Sequence, residues 1–257
     1  MKAIYSLILC LFLVIISTSF AYSAQMSLAG AWSFDEGSGK TTKDAVAGNN
    51  GELKGSLSWG QGKIGGGIKF PGKGDSYVTI PHKEYMDADA YTFTAWTKLD
   101  AASYQYIAWK DGVVWPELHL KRHIDIWINN THNPVFMWHA DGGEGRLDGK
   151  KIIADSAWHH IAKWYDGKTV KIYIDGALDG ETDSKGKLLK NGEDPLWIGA
   201  RPGEVAATGI IDEVGFFTKA LSETELKTAM NQSLNILAAV ESSNKLPTTW
   251  GNMKSGF

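Results

Sequence analysis

Residues 158–176 read WHHIAKWYDGKTVKIYIDG and set two histidines, His159 and His160, side by side behind Trp158. Histidine pairs serve metal ligation and acid–base chemistry, but both need the rings to converge on one point. The surrounding run alternates as a strand does, and adjacent strand residues point to opposite faces, so these two cannot chelate one ion. A strand histidine of this kind reads as framework. His119 and His123 fare no better as a pair: their spacing would suit a helix, yet along a strand it separates them by about 13 Å.

A second set suits hydroxyl recognition. In PELHLKRHIDIWINN (residues 116–130), Leu118, Leu120, Ile124, Ile126 and Ile128 form the apolar positions, while Glu117, His119, Asp125, Trp127 and Asn129 form the polar ones. Carboxylates and amides hydrogen-bond sugar hydroxyls while an indole covers the apolar C–H face of the ring. Trp115, Trp138, His139 and Asp141, in the flanking loops, would extend such a site. The competing reading is a plain solvated sheet face with its tryptophans packed between strands.

A third set offers hard oxygen donors: Asp35 and Glu36 in FDEGSG, Asp44, Asn49 and Asn50 in GNNG, and Asp212 and Glu213 in IDEV. Calcium takes six to eight such oxygens, some from backbone carbonyls. Asp35, Glu36, Asp44, Asn50, Asp212 and Glu213 are therefore the candidate calcium ligands. The alternative is that Asp212 and Glu213 satisfy loop N–H groups and Asp44 starts a turn.

The elements that must position these groups are strands. Runs rich in Val, Ile, Thr, Tyr and Trp recur between Gly, Asp and Asn clusters, as at 28–34, 76–81, 91–99, 104–109, 117–128, 134–139, 195–200 and 209–217. This spacing predicts about ten strands joined by turns. Asp166-Gly167 marks a hairpin turn. A two-residue turn sets Ile161 opposite Ile172 and Lys163 opposite Val170; a three-residue turn with a bulge sets Trp164 opposite Val170 and Ala162 opposite Ile172. Ser222 and Glu225 form a capping box that starts a helix at Glu223, ending near Met230, with Leu221 and Leu226 as its hydrophobic staple.

The whole chain sets the context. Lys2 followed by the apolar run Leu7–Ile16 reads as a secretory signal over residues 1–24, too short to span a bilayer. Cys10, the single cysteine, lies inside it, so the mature chain is expected to fold without disulfides, outside the cytoplasm: secreted, periplasmic or at the cell surface. The net charge of -3 leaves no basic stripe for nucleic acid. One domain over 25–230 and a C-terminal tail over 231–257 complete the division. LPTTWG in the tail lacks the glycine, hydrophobic span and basic end of a sortase signal.

Eight short motifs then line up in order: WSFDEGSG (32–39), GNNGEL (48–53), GKIGGGIKF (62–70), YVTIP (77–81), FTAWTKL (93–99), DSAWHHIAKWYDGKTVKIYIDG (155–176), LWIGA (196–200) and GIIDEVGFFTKALSETEL (209–226). Together they resemble the laminin-G-like, concanavalin A-like lectin/glucanase jelly-roll domains of bacterial exported proteins, over residues 27–230. The resemblance implies an all-β, antiparallel two-sheet jelly-roll sandwich with one short C-terminal helix. It also implies a glycan or protein ligand and, in some members, a structural calcium. If first and last strands pair as in a jelly roll, the acids of the third set approach one another. Hydrolases on this fold carry a Glu-x-Asp-x-x-Glu run around the scissile bond; it is absent here, and ETDSKG has Gly186 in place of the last glutamate. The expectation is a non-catalytic carbohydrate-binding or adhesion module, with Glu117 and Asp125 as the acids to test for catalysis and a protein-interaction module as the alternative.

Overall fold

The computed structural model describes residues 26–110, 123–190 and 193–244. In chain order the strands are β1 (Leu28–Trp32), β2 (Thr41–Thr42), β3 (Gly51–Leu53), β4 (Ser58–Gln61), β5 (Gly66–Pro71), β6 (Val78–Ile80), β7 (Tyr91–Leu99) and β8 (Gln105–Lys110). They continue as β9 (Ile124–Ile128), β10 (Pro134–Ala140), β11 (Gly143–Asp148), β12 (His159–Tyr165), β13 (Thr169–Ile174), β14 (Ala177–Asp183), β15 (Leu196–Ile198) and β16 (Thr208–Phe217). Two helices follow, α1 (Glu223–Asn231) and α2 (Leu234–Asn244).

The strands form two antiparallel sheets. The front sheet runs β11-β10-β9-β8-β15-β6-β3-β2, and the back sheet β14-β13-β12-β7-β16-β5-β4, with β1 also on β16. First and last strands therefore do pair. Strand β16 has three partners: along one edge residues 208–211 pair with β5 and 214–217 with β1, and along the other it pairs with β7, with a bulge between Asp212 and Gly215. Alternation in β7 shows how the sandwich is filled. Tyr91, Phe93, Ala95 and Leu99 enter the core between the sheets, whereas Thr92 and Trp96 point outward and bond Lys219 and Met230 carbonyls near α1.

The back sheet's outer face is covered. Ala162, Tyr173 and Phe217 pack with Leu226 and Ala229 of α1 and with Leu234, Leu237 and Ala238 of α2. Helix α1 has the expected capping box, Ser222 with Glu225. Helix α2 lies in the segment read as a tail, so two helices stand where one was expected. Its first N–H, from Leu234, donates to a Glu213 carboxylate oxygen of β16 at 2.7 Å. Ser233, just before the helix, adds a local cap by accepting the Asn235 N–H at 3.3 Å.

The hairpin of residues 159–174 differs from both expected registers. Tyr165 faces Val170, Lys163 faces Ile172 and Ile161 faces Ile174. The central turn residues are thus Gly167-Lys168, with Gly167 at φ 98° in glycine's place in a type II′ turn. Asp166 stays outside the pair, its carboxylate accepting the N–H groups of Lys168 and Thr169.

Candidate functional site

The front sheet carries the candidate site on its outer face. In β9 the alternation sends Ile124, Ile126 and Ile128 into the core and turns Trp127 outward. Tyr106 of β8 stands directly opposite Trp127. The Trp127 ring lies between Tyr104 and Tyr106, at centroid separations of 6.2 and 6.4 Å and within 29° of parallel. The Arg146 guanidinium of β11 sits 5.3 Å from the indole centroid. Trp127 is half-buried, and its Nε1–H has no hydrogen-bond partner. Tyr104 is 52% exposed at the edge of this aromatic ledge.

Register pairing extends the face across the sheet. Arg146, Met137, Asp125, Trp109, Trp197, Thr79, Glu52 and Thr41 are successive cross-strand partners, one from each of the eight strands. Trp109 and Trp197 stack at 5.0 Å, with the Arg201 guanidinium 5.1 Å from the Trp109 centroid. Beyond Trp197 the face dips into a cavity of about 400 Å³ lined by Thr41, Asn50, Glu52, Thr79, Pro81 and Pro195. Sequence reading missed Trp109, Trp197, Tyr104 and Tyr106. Each sat in an anticipated strand, but the pairing that aligns them joins strands far apart in the chain.

The residues singled out from sequence disperse. Trp115, Glu117 and His119 lie outside the described residues. Trp127 and Asp125 share the outer face, Asp125 being buried between Met137 and Trp109. His139 also faces outward, opposite Glu144. Trp138 does not: it is fully buried in the core, its indole N–H donating to the Ser184 carbonyl. Asn129 caps a turn, accepting the N–H groups of Thr131 and Asn133. Asp141 accepts Lys187 N–H at the end of β10.

The oxygen donors form two groups. Asp44 accepts backbone N–H groups from Ala31, Val46, Ala47 and Asn49, while Glu36 accepts from Lys43 and Asn50 from Asp44. In the other group, Asp212 accepts from Lys63, Ile64 and Glu213, and Asp35 accepts from Gly66 in the same loop. Burial raises the Asp212 and Glu213 carboxyls to about 7. Among the described residues no three acid or histidine side chains gather as metal ligands would. With their oxygens engaged by backbone donors and their side chains not converging on one point, these residues as placed do not form a calcium cage.

The histidine pair is built into the frame. His159 places Nδ1 2.9 Å from Asp175 and Nε2 3.2 Å from Asp155, while His160, fully buried on the opposite face, meets the Trp96 ring edge-on at 5.3 Å.

A family model described as the concanavalin A-like lectin/glucanases superfamily (Laminin_G_3) matches residues 72–227. No curated protein sequence matches the chain. Among solved structures, domain 4 of an extracellular GH43 arabinanase from Geobacillus stearothermophilus, in complex with arabinotriose, is similar at TM-score 0.62 and 18% identity, covering 79% of this chain and 98% of that one. The binding domain of Paraclostridial Mosquitocidal Protein 1 gives TM-score 0.62 at 15% identity over 80% of this chain and 52% of its own. Trypanosoma rangeli sialidase in complex with sialic acid gives 0.58 at 14% identity, over 79% of this chain and 32% of its own. At these identities the likeness is one of fold.

Proposed function

The chain belongs to the concanavalin A-like lectin/glucanase superfamily, and on that premise we propose that it is a carbohydrate-binding module whose ligand lies on the outer face of the front sheet. The observation that carries the reading is the ledge of Tyr104, Trp127 and Tyr106 on the sheet face that the helices leave free. Aromatic surface supplies the apolar contact a sugar ring needs. Solved relatives that hold arabinotriose or sialic acid support the class of ligand. The signal-like leader supports action outside the cytoplasm. The reading assigns binding without turnover, and calcium has no role in the face itself.

A glycan array probed with folded protein, in calcium and again in chelator, tests this. The expected result is saturable binding to one glycan class in both conditions, lost in Trp127→Ala. A blank array from folded protein would move the assignment to protein–protein adhesion.

A further inference from the structure

The two described arginines on the front face are both neutralised by their own carboxylates. Arg146 makes a bidentate pair with Asp148, both contacts at 2.7 Å. Arg201 pairs with Glu204 at 3.3 Å and stacks on Trp109. At the far end Lys54 meets Glu52 at 2.6 Å. Among the described residues, an anionic sugar on this face would meet cations already paired with carboxylates, and would face Glu52 in the cavity. Hydroxyl groups are served by both members of such pairs, which keep N–H donors and lone pairs to spare.

From Trp127 in β9 to Glu52 in β3 lie four strand spacings, about 19 Å, with half-buried Trp197 and Trp109, which is buried and stacked by the Arg201 guanidinium, between them. The cavity at the far end combines two proline walls, Pro81 and Pro195, with the hydroxyls of Thr41 and Thr79 and the Glu52 carboxylate. Apolar walls and hydroxyl-binding groups are the two requirements of a sugar subsite.

Resting on the carbohydrate-binding reading, we infer that this cavity is a second subsite and that the ligand is an extended neutral oligosaccharide laid across the strands from Trp127 to Glu52. Recognition is then of an internal stretch of a neutral polysaccharide and not of a charged terminal sugar.

The test is calorimetric titration of the full chain with length series of neutral arabino-, xylo- and gluco-oligosaccharides, and with sialyllactose and polygalacturonate, at low and high salt. The expected result is binding to one neutral series, with affinity rising with length to a plateau and unchanged by salt. Glu52→Ala and Thr79→Val, both at the surface, should weaken the long members by about tenfold each, the worth of one lost contact, and leave the shortest members unchanged. Length-independent affinity, or indifference to both substitutions, would overturn the second subsite while the Trp127 site stands. Preference for the anionic probes with suppression by salt would overturn the neutral class alone. No binding to any probe by folded protein would overturn the carbohydrate reading and this inference with it.

Discussion

Trp127 is half-buried and packs on side chains at the sheet surface, so its ring can be removed without opening the core. Trp127→Ala should lose glycan binding while unfolding in urea shows a loss under about 2 kcal/mol, below the 3–5 kcal/mol of core aromatic truncations. A loss at the core level would mark it as framework. Buried titratable groups give a second test. Burial lowers His160 to about 4 and His123 to about 3. A folded value below the unfolded one means stability that is present above about pH 6.5 and is lost as pH falls toward 4. For His160 the loss at pH 4.5 is about 2–3 kcal/mol. His160→Phe should therefore gain about that much relative to wild type between pH 7.5 and 4.5, as read by urea unfolding at each pH; an unchanged difference would contradict the burial argument. Glu213 works in the opposite sense. Its raised value, about 7, gives stability that is present below about pH 4.5 and is lost as pH rises through 7. Glu213→Gln keeps an acceptor for Leu234 N–H and should flatten that fall.

At the scale of elements, legibility followed locality. Helix α1 was readable because Ser222 and Glu225 are three residues apart and cap each other. Ser222→Ala should cost about 1 kcal/mol in thermal or urea unfolding. Helix α2 lay in the segment read as a tail; its local signal is the single cap Ser233, and the second acceptor, Glu213, comes from a distant strand. The hairpin register was misread for a related reason: Asp-Gly is a strong turn signal, but which two residues occupy the turn centre is settled by pairing of Lys163 with Ile172 and of its neighbours. Gly167, at φ 98°, should not tolerate a side chain; Gly167→Ala is expected to lose about 1–2 kcal/mol, and no loss would place the turn elsewhere. The strands themselves were largely legible from alternation, but their spatial order was not. Trp109 meets Trp197, and Trp197 meets Thr79, only because β15 inserts between β8 and β6.

At the scale of the molecule the two outer faces have different fates. Helices α1 and α2 cover the back sheet with Leu226, Leu234 and Leu237, while the front sheet presents an aromatic ledge and a cavity. The motifs in order were enough to read the sandwich, because a jelly roll repeats its turn and strand signals along the chain. The site was read only in part: alternation turned Trp127 outward, while Trp138, taken as part of a flanking loop, lies in β10 with its indole filling the core. The acids grouped as calcium ligands were visible as residue types; Asp44 finds its partners locally, in the N–H groups of Val46, Ala47 and Asn49, as a residue that starts a turn does, whereas those of Asp212 and Asp35, in the loop 63–66, are tertiary. The measurement that tests the central claim most directly is titration of one array-selected glycan into wild-type protein and Trp127→Ala, each shown by thermal unfolding to be folded. The account predicts saturable binding by the wild type and at least about a tenfold loss in the variant. Equal affinity in two folded proteins would contradict it and move the ligand off the front sheet.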